Sequence, residues 1–260
     1  MKNTFFCVLS AAALLPAFAV ADAPKTAHPD LSGIWSYAID LPPGAIKKQA
    51  NGSVTVQKVN RGAMVATASI KGALPSTPAP SYKPELQAKV KDLFDHESKT
   101  DEVFYCGKPG VPRIGPPRKI VQTAGEIVFF YEDISGDPYR IIPTDGRPHR
   151  ADADPTYYGD SVAHWDGNTL VVDVTNFVED TWFGENGYFH SDAMHVTERL
   201  WRDGENLIYQ VTVDDPKVLT APWTMAPRVV KPSTEPLEES PRCVEADANR
   251  LVNNDHHGQR

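Results

Sequence analysis

The sequence predicts a mainly β protein, built as an antiparallel barrel or a strongly curved sheet with one or two short helices. Three observations lead there. Two hairpin signals stand close together between Tyr157 and Asp215. The runs flanking their turns are rich in β-branched and aromatic residues that alternate with polar ones, as half-buried strands do. One stretch alone, near residue 84, has apolar residues at clear helical spacing.

The first of these hairpins turns at Asp166-Gly167-Asn168, residue types that tolerate the positive φ of a tight turn. Pairing Trp165 with Leu170 sets Ala163 against Val172 and Ser161 against Val174 on one mostly apolar face. His164, Val162, Val171, Asp173 and Thr175 then share the other face. The second hairpin turns at Asp203-Gly204, and its outgoing strand puts Leu207, Tyr209, Val211 and Val213 on one side. Between the hairpins, Asn176 to Met194 is long for a connection and holds Trp182, Phe183, Tyr188, Phe189, His190 and Asp192. Such a loop is either functional or a plug for one end of a barrel.

The chain has 260 residues, 41% hydrophobic and 23% charged, enough to bury a real core in one domain. Its net charge of -8, with no basic run, argues against nucleic acid, whose binding rests on Lys and Arg. Residues 1–21 read as a secretory signal: Lys2, an apolar run from Phe5 to Val20, and a small-x-small site at Ala19-Val20-Ala21. The run is short for a membrane span and no further span follows, so no membrane insertion is expected after cleavage, and the expected location is periplasmic or secreted. Residues 22–230 read as one β-barrel-like domain with a Pro/Ser-rich insertion near 72–84. Residues 231–260 form a tail. Cys106 and Cys243 are the two cysteines beyond the signal, an even pair that predicts a disulfide in an oxidising compartment and ties the tail back. A metal site and a buried free pair remain open readings for them.

In chain order, Leu31, Ile34, Trp35 and Tyr37 predict a first strand, with Gly33 allowing close backbone approach. Gly33-Ile34-Trp35 resembles the G-x-W that opens the first strand of lipocalins and other calycins. That likeness implies a lipocalin-like (calycin-like) barrel with the Trp closing its floor. Over residues 30–225 the chain also resembles uncharacterised secreted bacterial proteins that share the Leu31–Trp35 start, the Pro- and Gly-rich run from Cys106 to Arg113, the Thr144–His149 turn and the Trp165–Asp173 hairpin. This likeness implies export and a common β fold, and no particular activity. Val54 to Val59 reads as a strand. Residues 84–94 form the helix, with Pro84 in the first turn and Leu86, Val90, Leu93 and Phe94 on one side, packed across the outside of the sheet. Arg113 and Arg118 carry the planar fork that suits carboxylate or phosphate, with pairing to Asp or Glu as the structural alternative. Ile120–Thr123 and Ile127–Glu132 form a hairpin, Tyr139–Pro143 a short strand, and Val244–Val252 a short helix.

Candidate chemistry falls in three groups, expected to converge at one end of a barrel: Asp145, Arg147 and His149; Asp173 and Asn176; and His190, Asp192, His195 and Glu198. General acid–base catalysis needs a His or carboxylate held by a second polar group and walled by apolar side chains. On that basis His195, His190, His149 and Asp173 are the catalytic candidates. Tyr131, Arg147, Tyr158, Asn176, Trp182 and Glu198 are the substrate-binding candidates. His195 and Glu198, three apart, take opposite faces of an ideal strand. A metal held by His190, His195 and Asp192 or His149 is the second reading. There is no G-x-S-x-G elbow, phosphate loop or dinucleotide fingerprint. The expected function is cofactor-free acid–base chemistry of isomerase, hydratase, lyase or cyclase type on a small, partly apolar substrate in a barrel cavity. The alternative is a non-catalytic, lipocalin-like binder of a small hydrophobic ligand.

Overall fold

The computed structural model describes residues 28–36, 46–48, 54–56 and 77–244. These form mainly antiparallel sheets with two short helices. The signal segment expected at residues 1–21 and the C-terminal helix expected at 244–252 lie outside them, Val244 apart. Of the strand expected at 54–59, β3 (Val54–Val56) is described and pairs with β2 (Ile46–Lys48).

One sheet has the order β1-β4-β5-β6, with β1 Gly33–Ile34, β4 Lys119–Gln122, β5 Glu126–Phe130 and β6 Tyr139–Pro143. The other runs β11-β10-β9-β8-β7, with β12 also on β10. Here β7 is Asp160–Asp166, β8 Thr169–Thr175, β9 His195–Asp203, β10 Asn206–Asp214, β11 Trp223–Thr224 and β12 Arg228–Val230. The central hairpin has the expected register: Trp165 opposes Leu170, Ala163 opposes Val172, and Ser161 opposes Val174. Gly167 at its turn has φ 58°, a conformation that costs glycine little. Burial alternates as the pleat requires. Leu170, Val172 and Val174 of β8, Val196 and Leu200 of β9, and Leu207, Tyr209, Val211 and Val213 of β10 are all buried in one core. Glu198 faces that core, and His195 faces away from it.

At one edge the sheets are stitched together. Trp35 N–H donates to Arg118 O at 2.8 Å, Ser36 N–H to Lys231 O at 2.8 Å, and Ser233 N–H to Ile34 O at 2.9 Å. Trp35 is fully buried, with the Arg202 guanidinium 4.5 Å from its ring centroid. At the other edge, β6 and β7 lie side by side with no strand ladder between them among the described residues. Pro138 and Pro143 bracket β6, and proline has no N–H to give a neighbour. The sheets are therefore not closed, and of the two forms expected it is the curved sheet that fits.

The expected helix appears as a 3-10 turn, Pro84–Leu86, followed by α1, Gln87–Asp95, with α2 at Glu97–Thr100. It does not lie across the outside of the sheet. It abuts the long aromatic loop: Gly187 has φ 76°, and a Cβ there would sit 2.5 Å from Val90 O. Lys89 Nζ stands 3.8 Å from the Phe189 ring centroid. Trp182, Phe183 and Phe189 of that loop are buried in the core, so apolar burial fixes the loop in place. Cys106 and Cys243 form the disulfide, with Cα atoms 5.7 Å apart. The tail before Cys243 is strapped to the β5–β6 connection. Glu238 N–H donates to Glu132 Oε1 (2.7 Å), Ser240 N–H to Asp137 Oδ2 (2.9 Å) and Cys243 N–H to Ile134 O (3.2 Å).

Candidate functional site

Strand alternation puts Asp160 of β7, Asp173 of β8 and His195 of β9 on the face turned away from the core. The loop before β7 brings His149 to them. His149 Nδ1 lies 2.9 Å from Asp160 Oδ2, and its Nε2 lies 2.7 Å from Asp173 Oδ1. The other oxygen of Asp173 takes His195 Nε2 at 2.7 Å. Arg150 completes the chain, donating from Nε to Asp160 Oδ1 at 2.7 Å and from its backbone N–H to Oδ2 at 3.1 Å. The result is a continuous polar relay, Arg150–Asp160–His149–Asp173–His195, crossing three adjacent strands. Adjacent strands are spaced about 4.8 Å, so the strands that carry Asp160 and His195 stand roughly 10 Å apart.

A neutral imidazole has one N–H, so His149 donates to both carboxylates only as imidazolium. Burial pulls its pKa down, but the hydrogen bonds to Asp173 and Asp160 and their charges outweigh that and hold it above the ordinary histidine value. Burial likewise pushes Asp160 up, yet the bonds from Arg150 and His149 prevail and keep it below the usual carboxylate range. From Asp160 onward side-chain exposure rises, 8% there, 28% for His149, 34% for Asp173 and 43% for His195. With Nε2–H given to Asp173, the lone pair of His195 is on Nδ1, which has no partner among the described residues.

A second polar cluster lies on the core side. Arg140 Nη1 donates to Tyr131 Oη (3.1 Å), Arg140 Nη2 donates to Ser161 Oγ (2.8 Å), and Tyr209 Oη donates to Glu198 Oε1 (2.9 Å). Arg140 Nη2 stands 2.7 Å from Glu198 Oε2, an ion pair in which that oxygen makes no hydrogen bond. Burial raises the pKa of both Tyr131 and Tyr209, so they are neutral phenols. Removing one partner of such a pair leaves an uncompensated buried charge. Between β6 and β7 lies a cleft of about 400 Å³, its wall including Arg140, Arg147, Arg150, Tyr158, Asp160 and Val162. Asp160 and Arg150 therefore belong to both the cleft and the relay. A smaller cavity, about 150 Å³, is walled by Phe183, Tyr188, Trp223 and Met225 on the far side of the aromatic loop.

The three groups of candidates do not all converge. His149, Asp173 and His195 come together. His190 has other partners: it is 3% exposed, gives Nδ1–H to Ser191 O (2.9 Å) and accepts from Thr181 Oγ1 at Nε2 (2.8 Å). Burial depresses its pKa, so it is a neutral, hydrogen-bonded core histidine. Arg147 pairs with Asp145 at the exposed mouth of the cleft, and its hydrogen bonds lower the Asp145 carboxyl pKa to about 2. Asn176, at φ 63°, donates to Ala153 O (2.7 Å) and anchors the loop that carries His149. Asp192 pairs with Lys217, Trp182 is in the core, and Glu198 and Tyr131 are in the inner cluster. Tyr158 lines the cleft with its hydroxyl buried and unpartnered. Arg113 and Arg118 take the structural alternative, bonded to Asp101 and Glu132.

Asp160, Arg150 and Arg140 escape a reading of sequence alone. The available signal for Asp160 was the hairpin register, which sets it on the face of Val162 and Asp173. Arg140 gave no such signal, because Tyr139 and Ile141 look like the buried pair in that strand and are in fact exposed. Among the described residues, no group of three or more His, Cys, Asp or Glu is arranged to hold a metal ion, and no helix is long and apolar enough to cross a membrane. No family model, curated protein or solved structure matches the chain.

Proposed function

We propose that this is an exported, lipocalin-like small-molecule enzyme that carries out cofactor-free general acid–base chemistry, of isomerase, hydratase, lyase or cyclase type. The observation that carries the reading is the Asp173 carboxylate bonded to two imidazoles, one of which, His195, keeps its second nitrogen open. His195 Nδ1 is the base. Asp173 fixes its tautomer and stabilises the imidazolium that forms when it takes a proton. His149, charged between two carboxylates, positions Asp173 and balances its charge. The substrate lies along the outer face, its reacting C–H or O–H at His195 and its other end in the cleft, with Val162 giving apolar contact. The disulfide supports export, since such bonds persist in oxidising compartments.

The test is a thermal-shift screen of small carbonyl and carboxylic compounds, followed by incubation of the hits with the protein in D2O. A base that takes a carbon-bound proton incorporates deuterium. His195→Ala is expected to cut incorporation by about 100-fold or more while the ligand-induced shift persists. Unchanged incorporation would overturn the reading. A second reading, a carrier of a small hydrophobic ligand, is favoured by the aromatic-walled cavity, whose volume of about 150 Å³ suits one benzene-sized group. Shifts without exchange in the unsubstituted protein would establish that one.

A further inference from the structure

At the sheet edge between β6 and β7 the relay meets a cavity large enough for a whole small ligand. Three guanidinium groups line this cleft, Arg140, Arg147 and Arg150, each paired with one carboxylate, Glu198, Asp145 and Asp160 in turn. The volume, about 400 Å³, falls in the range of ligand sites.

Donors are plentiful there. Arg147 spends Nε and Nη2 on Asp145, leaving Nη1. Arg150 spends Nε on Asp160, and both of its Nη groups make no bond among the described residues. Behind them, Arg140 Nε and Tyr158 Oη are buried in the wall with no hydrogen-bond partner. Both atoms are sealed from solvent, so an anion in the cleft would meet the guanidinium tips of Arg147 and Arg150 and not these two atoms.

We infer that the cleft between β6 and β7 binds the anionic group of the substrate, a carboxylate or a phosphate, through Arg147 and Arg150. The planar fork of arginine matches both groups, and the two residues flank His149 in sequence, which ties the anion to the relay. The inference deepens the acid–base reading and rests on it for the claim that the bound anion is a substrate.

Calorimetric titration with benzoate, inorganic phosphate and the neutral analogue benzamide tests it without needing turnover. The expected result is saturable binding of one or both anions, weakened by added salt, with benzamide at least about tenfold weaker. Benzoate and phosphate decide between the two anions. Arg147→Gln and Arg150→Gln should each weaken binding by about tenfold, while Arg199→Gln, on the same sheet but bonded to Asp166, should not. Arg147 is exposed, so its substitution leaves the fold intact, and Arg150→Gln is the variant that also touches the relay. Equal affinity for benzamide, or unchanged anion binding in both cleft variants, overturns the inference. Deuterium exchange of neutral compounds without anion binding would overturn it and leave the acid–base reading standing. Anion binding with exchange indifferent to His195→Ala would do the reverse.

Discussion

His149 lies between two carboxylates at 2.9 and 2.7 Å, and its protonation decides how many of those bonds it donates. Its folded pKa is raised, so the stability it adds is fully present below the unfolded value, near 6.5, and is lost as pH rises through the folded value. Asp160 is depressed and acts in the opposite sense, adding stability above about pH 4 that is lost as pH falls through its folded value. The clamp is therefore strongest between those limits. His149→Gln keeps one donor and removes the charge. It should flatten the alkaline limb of stability against pH and cost about 1–2 kcal/mol near pH 6, measured by urea unfolding across a pH series. Equal pH profiles for the two proteins would refute the clamp.

At the scale of elements, the hairpins read well because a single turn and a period of two decide which face each side chain takes. The register at Trp165–Leu170 follows from that rule, and so does the separation of His195 from Glu198. The helix was legible in its spacing, but its docking was not. Its seat on the aromatic loop depends on Gly187, at φ 76° with no room for a Cβ beside Val90 O. Gly187→Ala should destabilise by about 1–3 kcal/mol. Amide exchange should show α1 and the loop losing protection together while β8 to β10 keep theirs. Protection lost evenly across the molecule, or nowhere, would show that this seat does not hold the helix.

At the scale of the whole molecule, the long-range link is Cys106–Cys243, 137 residues apart in sequence. It fixes the strapped tail over the β5–β6 connection. The chain-entropy model gives a closed loop of this length about 4–5 kcal/mol. Reduction should therefore lower the denaturant midpoint substantially, and Cys106→Ser with Cys243→Ser should match the reduced protein. A midpoint insensitive to reductant would show that the tail adds little. The absence of a ladder between β6 and β7 belongs to this scale too, since it leaves the cleft open where a closed barrel would have had a continuous wall.

Local order was readable from residues 33 to 213 wherever alternation, turn glycines and helical spacing acted over a few positions. Those patterns made the chain mainly β, paired the hairpin strands, set Asp173 on the face opposite Val172 and Val174, and parted His195 from Glu198, because side-chain alternation in a strand is a local property. Three outcomes needed distant parts of the chain to meet. His149 joined the relay because a loop anchored by Asn176 carried it over β7 and β8, while His190, equally polar in sequence, was sealed in the core by its aromatic neighbours. Arg140 turned inward because Glu198, 58 positions later, waits there to neutralise it. The sheets stayed open at β6 and β7: Pro138 and Pro143 mark that edge in the sequence, but which strand would lie beside it was decided only in the fold. None of these depends on a few adjacent residues, so no local pattern could have carried them.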